Sequence, residues 1–301
     1  MKYALLILFG ATLLGGCNII NPSEQVPTFV HIDSFRFVNS NPDVYGSSSH
    51  NINTVFATYN GVPIGVFDLP CTIPVIATGS NQLILQPGIA VNGFNDQESP
   101  YPFYINTIDT LVAQPGKVIN YTPVTGYVSS TSMVFKEDFE TGRQFFKYTD
   151  TGLINNTIPI PPGNDSMITV TKAQDPTKVF EGQASGYINM PTRDSATEAS
   201  QYFTIAANTP VLCELNYKSN VPIAIGLIPI ILTTGATTQP QFNNLAFNPS
   251  PDQWTKIYIN LAEIVSLYPA DKYSLIIKTA VPYGQANGYA LFDNIKVVTS
   301  K

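Results

Sequence analysis

The stretch Tyr289-Ala290-Leu291-Phe292-Asp293-Asn294-Ile295-Lys296-Val297-Val298 lies near the end of the chain and decides how its second half folds. Aromatic and β-branched residues fill it, which is typical of a strand. The stretch Met133-Val134-Phe135-Lys136-Glu137-Asp138-Phe139-Glu140-Thr141-Gly142 opens the same half and has the same character. Because both ends of this half read as strands, we expect them to lie side by side in a closed arrangement of strands.

The segments between these two ends predict further strands rather than helices. No apolar period of 3.6 residues lasts for more than about two turns, and only residues 262–268 look like a helical turn. Only 12% of all residues are charged, while proline, tyrosine and phenylalanine are plentiful. Strands are expected at 167–171, 183–189, 201–205, 211–217, 223–232, 255–261 and 273–279. The sequence therefore predicts an all-β jelly roll over residues 133–301.

Residues 27–132 read as a small β-sandwich that precedes the jelly roll. Asn60-Gly61 is a strong signal for a tight hairpin, and Pro63 predicts that the strand returning from it lies at a sheet edge. The turn Gln114-Pro115-Gly116 predicts a hairpin between the last two strands. Strands are expected at 31–38, 53–59, 62–67, 72–77, 82–86, 108–112 and 118–124. The predicted fold class is all-β, a small β-sandwich followed by a β jelly roll.

The first residues carry an export signal. An apolar run over residues 4–14 follows Lys2 and ends in Leu14-Gly15-Gly16-Cys17, which predicts a signal peptide over residues 1–16. The run is too short for a transmembrane helix, which needs about 20 residues. A cysteine directly after such a site resembles the lipobox of bacterial lipoproteins. This resemblance implies a lipidated Cys17 and a polar tether over residues 17–26, with several acyl chains as a stable anchor. The alternative is an ordinary signal peptide followed by a chance cysteine.

The second half resembles galactose-binding-like jelly rolls, a superfold that includes many carbohydrate-binding modules. The resemblance rests on the Glu-Asp-Phe-Glu-x-Gly opening (137–142), on Phe-Asp-Asn-Ile-Lys-Val (292–297), and on residues 180–186 and 253–256. Jelly rolls of this type often hold one structural Ca²⁺ where the first and last strands meet. The resemblance implies Asp138, Glu140 and Asp293 as its ligands here, with carbonyls over residues 178–182, because calcium takes 6–8 oxygen ligands. The alternative is a set of solvated carboxylates at strand ends.

The first half looks like the N-terminal half of a group of Bacteroidota lipoproteins. The matching segments are residues 61–66, 69–75, 87–93, 100–104 and 114–117. This half also resembles transthyretin-like or immunoglobulin-like sandwiches. In that phylum such lipoproteins decorate outer-membrane machines, including glycan importers, secretion systems and barrel-assembly complexes. The resemblance therefore implies that the protein is located at the outer membrane, with a β-barrel protein and other lipoproteins as partners.

The sequence offers few candidate residues and motifs for enzymatic activity. There are two histidines, His31 and His50, and neither stands in a metal-binding or nucleophile motif. The carboxylates in recognisable motifs of the second half fall at strand ends. The formal net charge of −6 argues against nucleic acid as a partner, because phosphates demand a basic surface. We therefore predict a protein that is not an enzyme.

Two cysteines remain besides Cys17. Cys71 and Cys213 both lie in strand-like runs, in different predicted domains. The favoured interpretation is that each is a small buried hydrophobic residue. The alternative is a disulfide that would join the two domains.

Several aromatic and apolar residues are candidates for a binding surface. The rigid segment around Tyr101, Phe103 and Tyr104 has the composition of an interface anchor, and its alternative is a loop closing the open end of the sandwich. The run over residues 223–232 does not alternate, so it is either buried on both faces or, at Ile228 and Ile230, covered by a partner. Trp254, the only tryptophan, is expected in the core.

Three short motifs match the O-glycosylation pattern of exported Bacteroidota proteins. They place the modified hydroxyl on Thr110, Ser166 or Ser195, each directly after an aspartate. A motif this short also occurs by chance, and modification requires an exposed loop.

The sequence thus predicts a non-catalytic outer-membrane lipoprotein at the cell surface, acting as an accessory subunit of a barrel-assembly, secretion or import complex. The alternative is a surface glycan-binding lipoprotein that uses its jelly roll. A glycan binder should present aromatic rings beside polar groups, whereas a subunit should present a broad apolar patch.

Overall fold

The computed structural model describes residues 24–94, 96–148, 167–192, 194–232, 236–237 and 239–301. Strands dominate the described residues, as the sequence predicts, and they form two consecutive β-sandwiches. The predicted signal peptide, Cys17 and Ser166 lie outside the described residues. No helix in the described part of the chain is long and apolar enough to cross a membrane.

The described residues of the first sandwich form ten strands and one short helix. Its elements are β1 (Thr28–Ile32), β2 (Arg36–Phe37), α1 (Pro42–Tyr45), β3 (Thr54–Tyr59), β4 (Val62–Asp68), β5 (Cys71–Val75), β6 (Ser80–Ala90), β7 (Glu98–Pro100), β8 (Thr107–Val112), β9 (Val118–Asn120) and β10 (Val124–Thr125). One sheet has the order β4-β3-β6, and β7 and β8 pair with opposite ends of β6. The other sheet has the order β5-β1-β9, with a small β2-β10 ladder in addition.

Local sequence signals explain part of this sandwich. Asn60 and Gly61 both have positive φ and join β3 to β4, which confirms the predicted hairpin. β4, which contains Pro63, lies at the edge of its sheet, as predicted. The expected strand over 31–38 is instead divided into β1 and β2, because residues 33–35 are not extended into a ladder.

The predicted hairpin around Gln114-Pro115-Gly116 was wrong. β8 pairs with β6, whereas β9 pairs in parallel with β1 in the other sheet. The turn therefore carries the chain from one sheet to the other. Leu111 of β8 and Val30 of β1, the strand that pairs with β9, are both buried in the core of the first sandwich.

In the second sandwich the described residues form twelve strands, one helix and a short 3₁₀ turn at Pro176–Lys178. Its elements are β11 (Thr131–Glu137), β12 (Phe145–Lys147), β13 (Met167–Thr171), β14 (Ala184–Met190), β15 (Ser195–Phe203), β16 (Val211–Ser219), β17 (Ile223–Ile231), β18 (Ala236–Thr237), β19 (Gln241–Phe247), β20 (Ser250–Asn260), α2 (Ala262–Leu267), β21 (Lys272–Ala280) and β22 (Gly288–Ser300).

These strands form two six-stranded sheets. The terminal sheet has the order β13-β14-β22-β16-β20, with β11 also on β22. The opposite sheet has the order β12-β15-β21-β17-β18, with β19 also on β17. β11 and β22 are antiparallel neighbours, with Met133 opposite Val298 and Lys136 opposite Lys296. This pairing confirms the predicted contact between the two ends of the second half.

The core of the second sandwich lies between its two sheets. Phe292, Leu275 and Leu215 are almost fully buried there, as alternating residues of their strands. Cys213 is also fully buried and its thiol is free, while Cys71 is only partly buried and is also free. The two cysteines therefore form no disulfide, and Cys213 occupies the buried position that the sequence favours.

Candidate functional site

The three predicted calcium ligands line one cavity at the junction of the two sandwiches. Asp138, Glu140 and Asp293 meet there with Glu181 around a space of about 280 Å³. Residues 42, 46 and 47 of the first sandwich complete the lining. The three carboxylates therefore lie at one cavity, and the first sandwich contributes to its lining, which the sequence did not predict.

Hydrogen bonds hold these carboxylates in place. Asp293 Oδ2 accepts from Ser185 Oγ at 2.8 Å and from the Glu181 amide at 3.2 Å. Glu140 Oε1 accepts from the amide of Gln183 at 2.7 Å and from the next amide at 3.1 Å. Burial raises the pKa of Asp293 to about 7, although the Ser185 hydroxyl opposes this shift.

The fit of this cavity to calcium is incomplete. Carboxylates are the oxygen donors that calcium takes. Nevertheless, among the described residues no three His, Cys, Asp or Glu side chains are arranged to hold a metal ion. The carboxylate oxygens of Asp293 and Glu140 instead accept hydrogen bonds from N–H and O–H donors of the protein. Calcium therefore stays a prediction, and no step of the function below depends on it.

A different set of residues forms an aromatic surface on the opposite sheet. The floor of this surface is a small apolar cluster, Ala199, Ile228, Ile230 and Ile276, which is at most 3% exposed. The half-buried rings of Tyr148, Tyr202 and Phe242 pack against this floor. We call these three rings and their floor the aromatic face.

Strand register explains why these residues meet. Phe146 of β12 lies opposite Ala199 of β15, and Ala199 lies opposite Ile276 of β21. Ile276 lies opposite Gly226 of β17, which in turn lies opposite Phe242 of β19. One row therefore crosses five strands, with a ring at each end and apolar or small residues between them. At about 4.8 Å per strand, the row is roughly 19 Å wide.

Cationic side chains border the aromatic face. The Lys272 ammonium lies 5.9 Å from the Tyr202 ring centre, and the Arg143 guanidinium lies 6.0 Å from that of Phe146. The Tyr202 hydroxyl is buried without a hydrogen-bond partner. Rings, cations and an unsatisfied hydroxyl thus meet on one outer face of the second sandwich.

Ile228 and Ile230 are not available to a partner, because their side chains are buried in this floor. β17 is covered on both faces, since Ile223, Ile225 and Leu227 point into the core. Pro229 lies between the β17 segments that pair with β19 and with β18, where its missing N–H interrupts neither ladder. The structure therefore corrects the alternative of a partner covering these two residues.

The predicted interface anchor is buried inside the molecule. Tyr101, Phe103 and Tyr104 are at most 3% exposed, and the first sandwich docks with them onto the outer face of the terminal sheet. The Tyr104 hydroxyl lies 3.1 Å from that of Tyr258, and the Asn92 amide donates to the Tyr258 carbonyl at 2.8 Å. Their partner is the second sandwich, so they are not free to bind another protein.

A buried ionic cluster, which the sequence did not predict, lies at this junction. Glu214 is fully buried, and its carboxylate accepts from the hydroxyls of Tyr101 and Tyr127. Lys256 Nζ lies 3.0 Å from Glu214 Oε2. Burial opposes ionisation of Glu214, but Lys256 and Lys296 outweigh it and hold the pKa of Glu214 below its usual value. We call Glu214, Tyr101, Tyr127, Lys256 and Lys296 the junction cluster.

Lys296 is the least compensated member of the junction cluster. Its ammonium donates to the Ser47 carbonyl at 2.8 Å and lies 3.4 Å from the Tyr127 hydroxyl. Burial, followed by repulsion from Lys256, lowers the pKa of Lys296 to about 7. Two lysines and one glutamate thus share one buried interface between the sandwiches.

Comparisons with known proteins add little. No family model matches this chain. No curated protein matches it either. A solved structure of TmCBM61 in complex with β-1,4-galactotriose is 12% identical, covers 53% of this chain and 92% of its own, and has a TM-score of 0.34. The CBM22-1 xylan-binding domain of Paenibacillus barcinonensis Xyn10C is 12% identical over 58% of this chain and 98% of its own, with a TM-score of 0.38.

One further structure spans more of the chain. A carbohydrate-binding module of the β-sandwich superfamily, described as promiscuous in specificity, is 14% identical, covers 81% of this chain and 84% of its own, and has a TM-score of 0.36. These similarities are too low to carry an argument about function. The proposals below therefore depend on the residues of this chain.

The remaining predicted residues lie apart from the aromatic face. Thr110 is exposed but lies within β8, and Ser195 is exposed at the start of β15, so neither hydroxyl lies on the exposed loop that O-glycosylation was expected to require. His31 contacts Thr72 Oγ1 at 2.8 Å, and His50 stacks on Phe37 with ring centres 5.4 Å apart. These histidine contacts are structural. Trp254, expected in the core, is instead half-buried on the outside of the terminal sheet.

Proposed function

We propose that this protein is a non-catalytic lipoprotein of the outer membrane that binds glycans at the cell surface through its second sandwich. The observation that carries this proposal is the aromatic face, in which Tyr148, Tyr202 and Phe242 overlie a buried aliphatic floor. Rings held in this way lose little side-chain entropy when a ligand arrives, because packing on the floor already fixes them.

The chemistry of the aromatic face suits a sugar. The C–H groups on one side of a pyranose ring pack on the face of an aromatic ring, as other apolar groups do. The hydroxyls of the sugar need polar partners, and Lys272 and Arg143 can donate hydrogen bonds to them. The hydroxyl of Tyr202 is buried, so its ring would offer a stacking surface to a sugar rather than a hydrogen bond.

The proposed location of the protein at the outer membrane is supported by the sequence of residues 1–17. Lipidation of Cys17 after cleavage of residues 1–16 would attach the chain to the outer membrane by acyl chains. Residues 17–26 would hold the first sandwich off the bilayer. The aromatic face belongs to the second sandwich, which follows the first sandwich along the chain. This arrangement suits a protein that samples glycans away from the membrane.

A second candidate function, accessory subunit of an outer-membrane complex, is favoured by the first sandwich. Its β8 and β9 flank a space of about 240 Å³, and the large apolar residues Ile108, Val112 and Val118 are each at least 55% exposed on these strands. Exposed apolar residues in one region often mark protein contacts. A glycan-binding subunit of an import complex would combine the two functions.

A glycan array with the mature, detergent-solubilised protein tests the proposal. The oligosaccharides that bind are then titrated by calorimetry into wild-type protein, Tyr202→Ala and Phe242→Ala. Loss of one stacked ring should weaken binding about tenfold. Tyr283→Ala is the matched control, because Tyr283 is 89% exposed in the β21–β22 loop. An array without binding, or equal affinity in all variants, would reject the proposal. Co-purification of a barrel protein by a C-terminal tag would support the second candidate.

A further inference from the structure

The first sandwich covers only part of the terminal sheet's outer face. Lys296 and Glu214 lie under the first sandwich, but the opposite end of this face does not. At that end one row of residues crosses four strands. Ile168 pairs with Tyr187, and Tyr187 pairs with Leu291, which also pairs with Lys218. Ile168 is 51% exposed, so the row reaches solvent at the edge strand β13.

Aromatic rings surround this row. The Trp254 and Phe180 ring centres lie 5.5 Å apart, and Phe180 is 37% exposed. Tyr187 is half-buried, and Leu291 at the centre of the row is only 2% exposed. Phe180, Tyr187 and Trp254 are called the aromatic shelf below. The shelf lies on the other sheet from the aromatic face, so a single sugar ring cannot touch both.

The shelf also has polar groups that are ready to bind. Within the described part of the chain, the Trp254 indole N–H and the Tyr187 hydroxyl make no hydrogen bond, and neither is buried. The Lys178 ammonium lies 4.6 Å from the Tyr187 ring centre. A ligand with hydroxyl groups would find donors and acceptors at the edges of the rings.

The charges at the rim have both signs. Lys178 is paired with Asp175 at 3.2 Å, and Asp252 lies near Tyr289 on the side of the shelf toward β20. Lys218 is half-buried in the row itself. Mixed charges of this kind give no net field that would attract a polyanion, and they offer hydrogen bonds of both kinds. They therefore favour a neutral ligand.

We propose that the aromatic shelf is a second glycan site, separate from the aromatic face, which takes a neutral pyranose by stacking on Trp254 and Tyr187. Two sites on opposite sheets would let the protein hold one polysaccharide at two points or bridge two chains. Effective concentration then raises the overall affinity for a polymer above that for a short oligosaccharide.

The chain offers a built-in reporter for this site. Trp254 is its only tryptophan, so tryptophan emission reports the shelf and not the aromatic face. We would titrate the mature protein with cellohexaose and β-1,4-galactohexaose, and with a galacturonate oligomer as the charged comparator. A saturable change in emission with a neutral oligosaccharide is expected. In Phe180→Ala and Tyr187→Ala, which keep the reporter, the affinity should fall about tenfold.

The control is Tyr202→Ala, which alters the aromatic face and should leave the emission titration unchanged. If calorimetry detects oligosaccharide binding but Trp254 emission stays constant, the shelf is not a glycan site, while the proposed function survives. Tighter, salt-sensitive binding of the galacturonate oligomer would overturn the neutral class of ligand. An emission change that follows protein concentration instead of sugar would assign the shelf to a contact between two copies of the chain.

Discussion

At the scale of single residues, Lys296 shows how burial lowers the pKa of a lysine inside a strand to about 7. Lys296 lies on the outer face of β22, where alternation predicts a solvated lysine. The first sandwich covers that face instead, so Lys296 is only 2% exposed. The energetic cost of burying Lys296 and the identity of its partners could not be predicted from the sequence. Both depend on the first sandwich, whose residues lie more than 150 positions earlier in the chain.

Removing the Lys296 ammonium should change how stability depends on pH. The pKa of Lys296 is about 7 in the folded protein and near its ordinary, higher value when unfolded. Between these values the unfolded chain binds more protons, so stability should rise with pH from about 7 to about 10. In Lys296→Met that rise should be smaller by a few kcal/mol, since one pKa unit corresponds to about 1.4 kcal/mol.

Urea unfolding at several pH values measures this effect. Lys117→Met is the matched control, because Lys117 is exposed in the first sandwich, and its stability should follow the wild-type pH curve. Parallel curves for wild-type protein and Lys296→Met would show that Lys296 does not lose its proton in the folded state over this range.

The carboxylate cavity gives the second prediction at this scale. If the sequence prediction of calcium is correct, excess Ca²⁺ should raise the Tm of the EDTA-treated protein. A free ion at a hundredfold excess over its Kd stabilises by about 2.7 kcal/mol. The gain should vanish in Asp293→Asn and in Asp138→Asn, and Mg²⁺ should not replace Ca²⁺. The same Tm with and without Ca²⁺ would leave these residues as a hydrogen-bonded carboxylate cluster.

At the scale of elements, sequence patterns located strands better than they located neighbours. β13, β16, β17 and β21 begin within one residue of the expected positions, because β-branched runs and flanking turns mark them. The aromatic face could not be predicted in this way. Its rings come from Tyr148, which directly follows β12, and from β15 and β19, and only the register of five strands brings these elements together. Sequence periodicity gives the outward side of a strand, but it does not give the partner strand.

Gly226 provides a test at this scale. A Cβ atom at Gly226 would lie 2.0 Å from the Gln241 carbonyl oxygen, so the backbone of β19 would have to move. Gly226→Ala should therefore detach β19 and displace Phe242 from the aromatic face. We expect glycan affinity to fall at least as far as in Phe242→Ala, about tenfold. The core should remain folded, because the inward residues of β17 are unchanged.

Calorimetric titration with the oligosaccharide that binds, together with circular dichroism, measures both effects. Gly65→Ala is the control, since the atoms nearest to a Cβ at this strand glycine belong to the ring of Phe67, at 3.1 Å, and not to the backbone. Wild-type affinity in Gly226→Ala would show that β19 is not needed for the site.

At the scale of the whole molecule, the two sandwiches share one apolar and ionic junction. Tyr258 and Leu212 of the second sandwich belong to the same buried cluster as Tyr101 and Tyr104 of the first. The sequence indicated that the segment around Tyr101, Phe103 and Tyr104 is an interface anchor. In the structure its partner is the second sandwich of the same chain. Docking of the first sandwich also divides the terminal sheet, because it buries one end and leaves the aromatic shelf accessible.

Glu214 is the group on which this junction depends most. Its carboxylate lies 3.0 Å from the ammonium of the junction lysine Lys256, and it also accepts from the Tyr127 hydroxyl. Breaking a buried ion pair by removing one partner costs about 3–5 kcal/mol, because it leaves the other charge buried and uncompensated. Glu214→Gln should therefore destabilise the protein by that amount, whereas Glu263→Gln, an exposed change in α2, should be nearly neutral.

The way in which Glu214→Gln unfolds distinguishes a shared junction from two independent domains. In the wild-type protein, circular dichroism of the whole chain and emission of Trp254 in the second sandwich should report one coincident transition. In Glu214→Gln the two probes should separate, because the first sandwich loses its docking contacts before the second sandwich unfolds. If both probes still coincide at the wild-type midpoint, the junction cluster does not couple the sandwiches. Their docking would then depend on the apolar contacts of Tyr101, Tyr104 and Tyr258 alone.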